Sequence, residues 1–148
     1  MARPTDPNAT QIARLQKRYP GATTGEFGDS EALSQRLIGL IREGRKTATC
    51  AALRDYHADD EPLPVAGQFE IVLDHTGRPA MVLRTTAVQT TRYCDVDWSF
   101  AKDEGEDDDL DGWRAGHRAY FERTGGFDDR MMLLCQRFEM VEDLKPTD

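Results

Sequence analysis

A lysine and a threonine three positions apart, Lys46 and Thr49, are the residues of this chain whose types and spacing most suggest chemistry. They follow Gly44, where a helical pattern gives way to a β-branched one. On a regular strand, side chains three positions apart point to opposite faces, but across a helix end or a turn they can converge. Because Gly44 favours a turn, the spacing predicts that an amine and a hydroxyl meet at one site.

The same two residues also have an ordinary structural explanation. Lys46 would then be a solvated cation at a helix end, where it complements the helix macrodipole. Thr49 would be a strand residue selected for its β propensity. Catalysis by such a pair would need a third group that exchanges protons, which must come from elsewhere in the chain.

A distant acidic run offers that third group. Six of the seven residues 103–109 are acidic, and their mutual repulsion predicts a solvated loop and helix N-terminus. The alternative is a divalent-metal site with hard oxygen ligands from Glu104, Glu106 and Asp108, although no calcium-loop spacing is present. Such a site would favour metal-assisted cleavage of RNA over hydrolysis of an amide.

The size and composition of the chain indicate one globular domain. With 148 residues, of which 39% are hydrophobic, it can bury a core without disulfides. No apolar run approaches the length of a membrane span, and the first residues do not resemble a secretory signal, so we expect a cytoplasmic protein. Cys50, Cys94 and Cys135 are odd in number and lie in apparent strands, which predicts reduced thiols. The net charge of −8 argues against binding to duplex DNA.

A helix is predicted immediately before the lysine and threonine. Asp29 or Ser30 can cap it, and its apolar stripe consists of Leu33, Leu37, Leu40 and Ile41. Gly44 is its natural end, and the β-branched residues after it predict a strand over residues 47–53. Earlier in the chain, residues up to Asn8 are expected to be frayed, and a short helix ends at Pro20.

The remaining pattern predicts connections and a hairpin. Residues 21–28 read as a connection, and residues 56–64 as an acidic loop. Residues 69–73 and 80–93 then alternate as two antiparallel strands around a turn at residues 74–77.

A last helix and strand complete the order. The final aspartates of the acidic run can cap a helix that carries Trp113, His117, Tyr120 and Phe121 on one side. We expect these aromatic residues to belong to the core and His117 to be a hydrogen-bonded supporting residue. Gly125 and Gly126 end this helix, and residues 131–141 form the last strand. With no repeat and no βαβ rhythm, the order predicts an α+β domain around a small mixed β-barrel.

Several further residues are candidates for substrate contact. Tyr56 and Trp98 are expected in loops near the motif, where they can stack on a base. Arg54 is placed to contact a phosphate or sugar, with exposed surface charge as the equal alternative. A polynucleotide would need a local basic groove, for which the candidates are Arg42, Arg45, Lys46 and Arg54.

Several ordered blocks resemble one protein family, the activating-signal-cointegrator homology (ASCH) domain, and within it a longer bacterial subfamily. The blocks are residues 27–30 (Phe-Gly-Asp-Ser), residues 44–49 (Gly-Arg-Lys-Thr-Ala-Thr), Leu63-Pro64 with Gly67, residues 100–106, and Trp113-Arg114 with His117. The resemblance implies a PUA-like fold, a small mixed β-barrel flanked by helices. It divides the chain into an N-terminal extension with a short helix (1–25), the ASCH domain (26–142) and a polar tail (143–148).

The resemblance also implies site residues. ASCH domains are associated with RNA-related roles, and a shorter bacterial branch hydrolyses N4-acetylcytidine with a lysine, a threonine and a glutamate. Carried over by motif, these roles fall on Lys46, Thr49 and Glu104, with Glu106 as the near competitor for the glutamate. Further substrate contacts are expected from Arg45, Thr47, Arg54, Tyr56, Trp98 and Glu106. The chain departs from the short branch by its N-terminal helix and its longer acidic and Trp/His segment.

The leading hypothesis is therefore a hydrolase of a modified nucleoside that needs no organic cofactor and no metal. In one scheme Thr49 Oγ1 attacks the acyl carbonyl, Lys46 is held neutral by desolvation and takes the proton, and Glu104 shuttles a proton to the leaving nitrogen. In the other, a cationic Lys46 stabilises the oxyanion and Glu104 is the base. The alternatives are a single-stranded RNA-binding module, with or without ribonuclease activity, and a ligand-sensing or protein-interaction domain.

Overall fold

The computed structural model describes residues 6–144 of the chain. The elements, in chain order, are α1 (Pro7–Arg18), β1 (Thr23–Glu26), α2 (Glu31–Arg42), β2 (Ala48–Ala52), α3 (Leu53–Ala58), β3 (Phe69–Leu73), β4 (Pro79–Arg92), a 3-10 turn (Tyr93–Asp95), α4 (Trp98–Asp103), α5 (Leu110–Thr124) and β5 (Met132–Asp143). The predicted polar tail lies partly outside the described residues, since nothing after residue 144 is included. Residues 1–5 of the stretch that was expected to be frayed lie outside the described residues, whereas Pro7 and Asn8 already belong to α1, with Asp6 as its N-cap.

The five strands form one sheet in the order β1-β3-β4-β5-β2. The β1–β3 pair is parallel and the other pairs are antiparallel. The two long strands β4 and β5 shift register at Val82/Leu83 and again between Thr85 and Ala87, and such bulges bend a sheet. The sheet curls into a half-barrel, which with the helices confirms the predicted PUA-like α+β fold.

Three hydrophobic clusters fix the helices on this sheet. The first joins α5 and α4 to the β5 end and contains Trp113, Phe121 and Leu133. The second packs α2 against the centre through residues such as Ile38, Ile41, Val72, Met81 and Phe138, and the third covers the other edge with α1. α2 therefore lies across the strands, with its C-terminal end leading into β2.

Most predicted elements are present at their expected places. The second helix is capped by Ser30 and carries Leu37 and Ile41 on its buried side. The hairpin is β3 and β4, and α5 begins after Asp109, whose side chain accepts a hydrogen bond from Gly112 N at 2.7 Å. These elements have strong local signals, which are apolar periodicity, a cap or a glycine stop.

Four predictions of local structure were wrong. Residues 21–28 contain β1, whose four residues, Thr-Thr-Gly-Glu, pair in parallel with β3, a contact that local pattern cannot reveal. Tyr56 lies on α3 and Trp98 on α4, and both helices are only six residues long, too short for a helical period to be recognised. Cys94 lies in the 3-10 turn and not in a strand.

Candidate functional site

Lys46 lies in the short link between α2 and β2. The helix ends in a turn at Gly44, whose φ is +79°, and the amides of Arg45 and Lys46 both donate to the carbonyl of Leu40 at 3.0 and 3.1 Å. Because β2 begins only at Ala48, strand alternation does not set the relative directions of Lys46 and Thr49. The lysine side chain turns inward and is 1% exposed. Lys46 is therefore not a solvated cation at a helix end, which was its ordinary structural explanation.

The acidic segment is fixed to this link through its backbone. The amide of Thr47 donates to the carbonyl of Asp103 at 2.7 Å. At Gly105, φ is +77° and an added Cβ would lie 2.5 Å from the carbonyl oxygen of Arg45. Only glycine fits such an approach in this backbone conformation. The contact brings the carboxylates on either side of Gly105 to the lysine.

Lys46 Nζ is enclosed by acceptors from this segment. It lies 2.9 Å from Glu106 Oε2 and 3.5 Å from Glu104 Oε1, and it donates to the backbone carbonyl of Glu104 at 3.3 Å. The Lys46 and Glu104 side chains are both 1% exposed, whereas the Glu106 side chain is 15% exposed. The expectation of a solvated acidic run was therefore wrong for Glu104, because cations from other elements offset the repulsion among the acids.

Glu104 is the centre of a hydrogen-bonded network. Its Oε2 accepts hydrogen bonds from the indole Nε1 of Trp113 and from the thiol of Cys50, the latter at 3.6 Å. The Nε2 of His117 lies 3.3 Å from the same oxygen. Burial by itself would raise the pKa of Glu104, but Lys46, His117 and Trp113 outweigh it and hold the pKa at about 2. Glu104 is therefore a fixed anion at neutral pH.

His117 is hydrogen-bonded, as predicted. Its Nδ1 lies 2.9 Å from the carbonyl oxygen of Trp113, one helical turn earlier, and its ring stacks on the indole at 4.2 Å between centroids. Burial lowers the pKa of His117, but the hydrogen bond to Glu104 and the charges of Glu104 and Glu106 dominate, so that the pKa is raised. Trp113 is fully buried, as expected for a core residue, whereas Tyr120 is half-buried and faces a cleft.

Cys50, Glu104 and His117 are also the residues that come closest to a metal-ligand set in the described part of the chain. Their ligand atoms lie within 4.8 Å of one another. A soft metal would need the thiolate, but burial and the neighbouring Glu104 charge raise the pKa of Cys50 well above its usual value. The geometry therefore suits a thiol that donates to a carboxylate. Asp108, a ligand in the predicted acidic metal site, is exposed and is not part of this group.

These residues form one wall of a cleft of about 330 Å³, the central cleft. Besides the charged cluster, two of the predicted substrate-binding or catalytic residues lie at this cleft. Thr49 and Tyr56 line it, both half-buried, and the Thr49 hydroxyl has no hydrogen-bond partner among residues 6–144. The lining of the central cleft includes Lys46, Thr49, Cys50, Tyr56, Glu70, Glu104, Glu106, His117, Tyr120 and Gln136.

Four predicted substrate contacts lie away from the central cleft. Arg45 and Thr47 are exposed, and Thr47 is held by Asp103. Arg54 is exposed and donates to the carbonyl of Gly126 at 2.6 Å. Trp98 is half-buried and packs against the core beside α5. The sequence places these residues near the motif, but their elements turn them outward or into the core.

Sequence reasoning missed Cys50 and Glu70 as lining residues of the cleft. A signal existed for Glu70, which is the single charged residue in the strand Phe-Glu-Ile-Val-Leu. Cys50 gave no comparable signal, because a thiol within a strand is usually an ordinary buried residue.

The chain is similar in sequence and fold to several solved structures. The chain is similar to the ASCH domain of Lactobacillus crispatus, with 27% identity over 87% of this chain and 85% of that one and a TM-score of 0.78. Protein EF3133 of Enterococcus faecalis is 34% identical over 92% of this chain and 88% of its own, with a TM-score of 0.81. A variant of ZmASCH from Zymomonas mobilis shares only the fold, at 13% identity and a TM-score of 0.54 over 86% of this chain and 73% of that one.

No curated protein matches the chain. No helix among residues 6–144 is long and apolar enough to cross a membrane. The family model of the ASCH domain matches residues 23–142, which contain the curled sheet, the Lys46 link and the acidic segment. The chain therefore belongs to the ASCH domain family.

Proposed function

We propose that this protein hydrolyses the acyl amide of an N4-acylated cytidine or a related modified nucleoside. The observation that carries the proposal is the buried Lys46, held by Glu104 and Glu106 at the wall of a cleft that Thr49 also lines. A nucleophile, a cation and carboxylates are the groups that acyl transfer requires.

The contacts of Lys46 favour the scheme in which it acts as a cation. Its Nζ donates to the Glu106 carboxylate and to the Glu104 carbonyl and forms an ion pair with the Glu104 carboxylate at 3.5 Å, a surrounding that suits an ammonium group. Thr49 Oγ1 would attack the acyl carbonyl, and the ammonium would stabilise the oxyanion. Glu104 or Glu106 would take the hydroxyl proton and return it to the leaving cytosine nitrogen, which leaves the acyl group on Thr49 as an ester. A water molecule, deprotonated by the same carboxylate, would then cleave this ester, releasing the carboxylic acid and restoring the Thr49 hydroxyl.

The two carboxylates differ in how available they are as proton acceptors. Glu104 accepts from Trp113 and Cys50 and has a pKa of about 2, so it is a weak base. The Glu106 carboxylate is more exposed, and Lys46 is its one partner among the described side chains. We therefore assign proton transfer to Glu106 and the positioning of Lys46 to Glu104, which revises the roles predicted from the resemblance.

The charge of the cleft favours an uncharged nucleoside over RNA. Its acidic lining residues are Glu26, Asp55, Glu70, Glu104, Glu106 and Asp107, against the cations Lys46, Arg36 and Arg123. His117 also lines the cleft, and when it is protonated its charge is paired with Glu104. Both arginines are engaged, since Arg36 donates to the carbonyl of Glu106 at 2.7 Å and Arg123 pairs with Asp29 at 2.8 Å. A phosphate would meet more anions than available cations.

The predicted basic groove for single-stranded RNA has less support. Of its four candidate cations, Lys46 alone lines the central cleft. Arg42 pairs with Asp143 at 3.0 Å, and Arg54 is bound to the carbonyl of Gly126. RNA binding, with or without cleavage, and ligand sensing without chemistry remain the outcomes to be separated by experiment.

The test is chromatographic detection of cytidine formed from N4-acetylcytidine, with and without a chelator. We expect chelator-resistant turnover that falls by at least roughly 100-fold in Thr49→Ala and in Lys46→Ala. Thr90→Ala and Lys102→Ala, which change exposed residues outside the cleft, are the matched controls. Absence of turnover at high protein concentration, together with retention of single-stranded RNA, would replace this proposal by the binding module.

A further inference from the structure

A second carboxylate, that of Glu70, lies in the central cleft apart from the charged cluster. Glu70 is on β3, in a strand whose neighbouring residue Ile71 is fully buried, yet its own side chain turns into the cleft. Its Oε1 would lie 2.7 Å from a Cβ at position 25, so Gly25 of the adjacent β1 provides the space it occupies. β1, the strand that the sequence did not predict, therefore shapes this end of the cleft.

Among residues 6–144 the Glu70 carboxylate has no hydrogen-bond or ion-pair partner. Burial, reinforced by the charge of Glu61, raises the pKa of Glu70 to about 7. A partly buried carboxylate without a partner is unfavourable unless a ligand satisfies it.

Glu70 lies on β3, whereas Lys46 lies in the link that leads into β2. β3 and β2 are separated by β4 and β5 in the sheet. Three strand spacings correspond to about 14 Å along the sheet. Both strands line one cleft because the sheet curls around it. A ligand whose acyl group meets Lys46 therefore extends its other end toward β3.

We propose that Glu70 binds the ribose hydroxyls of the nucleoside and so selects a ribonucleoside over a free base. The inference rests on the proposed function, which places the acylated amine at Lys46. In a cytidine the ribose and the N4 amine lie on opposite sides of the ring, which matches a ligand that extends from Lys46 toward β3. A carboxylate can accept hydrogen bonds from two neighbouring hydroxyls, as acidic residues do in other nucleotide sites. Tyr56, another lining residue close to Glu70, covers the same end of the cleft.

The test compares N4-acetylcytidine, its 2′-deoxy form and N4-acetylcytosine as substrates of the wild type, Glu70→Gln and Glu70→Ala. We expect KM for the ribonucleoside to rise roughly 10- to 100-fold in Glu70→Ala, and less in Glu70→Gln, with kcat little changed. KM for the free base should not change. Asp59→Asn, which alters an exposed acid at the end of α3, is the control. Equal effects on nucleoside and free base would overturn the inference.

Calorimetric binding of cytidine and cytosine to the same proteins separates this inference from the proposed function. If the wild type hydrolyses the amide but Glu70→Ala binds cytidine unchanged, the assignment of the ribose site fails alone. If no hydrolysis occurs but cytidine binding depends on Glu70 and cytosine binding does not, the ribose site stands without the chemistry. If the wild type binds neither compound, the ribose site is overturned together with the nucleoside substrate.

Discussion

His117 and Glu104 form an ion pair in which the histidine ring is held at both nitrogens. Nε2 lies 3.3 Å from Glu104 Oε2, and Nδ1 lies 2.9 Å from the carbonyl oxygen of Trp113. An ionised carboxylate and a carbonyl can only accept, so this geometry favours the form of the ring in which both nitrogens carry a proton. The pKa of His117 is raised accordingly, and when His117 is protonated the cluster balances two cations, Lys46 and His117, against the anions Glu104 and Glu106.

This pairing predicts a pH-dependent contribution of His117 to stability. Because its pKa is raised in the folded protein, its contribution is fully present below its unfolded pKa and is lost as pH rises through its folded pKa. His117→Gln should lower the free energy of unfolding by roughly 1–3 kcal/mol at pH 6 and by less at pH 9. Urea unfolding at pH 6 and pH 9 measures this difference in the free energy of unfolding. Nitrogen NMR at pH 6 reports the protonation of the His117 ring, with the exposed His57 as the reference. A His117 ring with only one protonated nitrogen at pH 6 would contradict the prediction.

Glu104 and Glu106 should differ sharply in their effect on stability. Glu104→Gln leaves Lys46 buried beside one carboxylate and should cost about 3–5 kcal/mol, whereas Glu106→Gln, at a more exposed pair, should cost about 1 kcal/mol. With a pKa of about 2 against a usual 4.5, Glu104 stabilises the fold above pH 4.5, and the contribution is lost as pH falls toward 2. Acid unfolding of Glu104→Gln and Glu106→Gln, followed by circular dichroism, tests this difference between the two glutamates. Equal midpoints of acid unfolding in the two variants would refute the prediction.

The close approach at Gly105 predicts a position-specific effect of alanine. Gly44 and Gly105 both have φ near +80°, at +79° and +77°, but only at Gly105 does an added Cβ meet another atom within 4 Å. Gly44→Ala should cost about 1 kcal/mol from backbone strain alone. Gly105→Ala should cost about 2–4 kcal/mol and displace the acidic segment from Lys46. Thermal unfolding gives the comparison, and similar losses in the two variants would show that the contact is unimportant.

Glu70 should destabilise the free protein at alkaline pH. Since its folded pKa of about 7 exceeds the usual 4.5, its relative contribution is greatest below pH 4.5 and is lost as pH rises through 7. Glu70→Gln should remove that loss, which is at most about 3 kcal/mol between pH 5 and pH 9. Tyr56 and Glu61 lie near this carboxylate and stay unchanged in the variant. The free energies of unfolding of the wild type and of Glu70→Gln, measured at pH 5 and pH 9, test this prediction. An identical change between the two pH values in both proteins would contradict it.

The sequence determined the elements that have local signals. The stripe ending in Leu37 and Ile41 with Gly44 after it produced α2, and Asp109 produced the start of α5. The order of these elements, together with the motif blocks, was sufficient to predict the fold and the family. It was also enough to place Lys46, Thr49 and Glu104 among the candidate residues, because the lysine and threonine flank a turn and the glutamate lies in the matching block.

Tertiary structure alone decided which of those residues meet and in what state of charge. Glu104 lies 58 positions from Lys46 in the sequence. The acidic run around Glu104 is predicted to be solvated from its sequence, and only the fold brings Lys46, Trp113 and His117 to this carboxylate. Arg54 and Trp98 looked equally suitable in sequence, but their elements turn them elsewhere. The same holds for β1, whose pairing with β3 makes room for Glu70. The physical reason is that burial and pairing energies depend on contacts between distant segments, which local propensity does not encode.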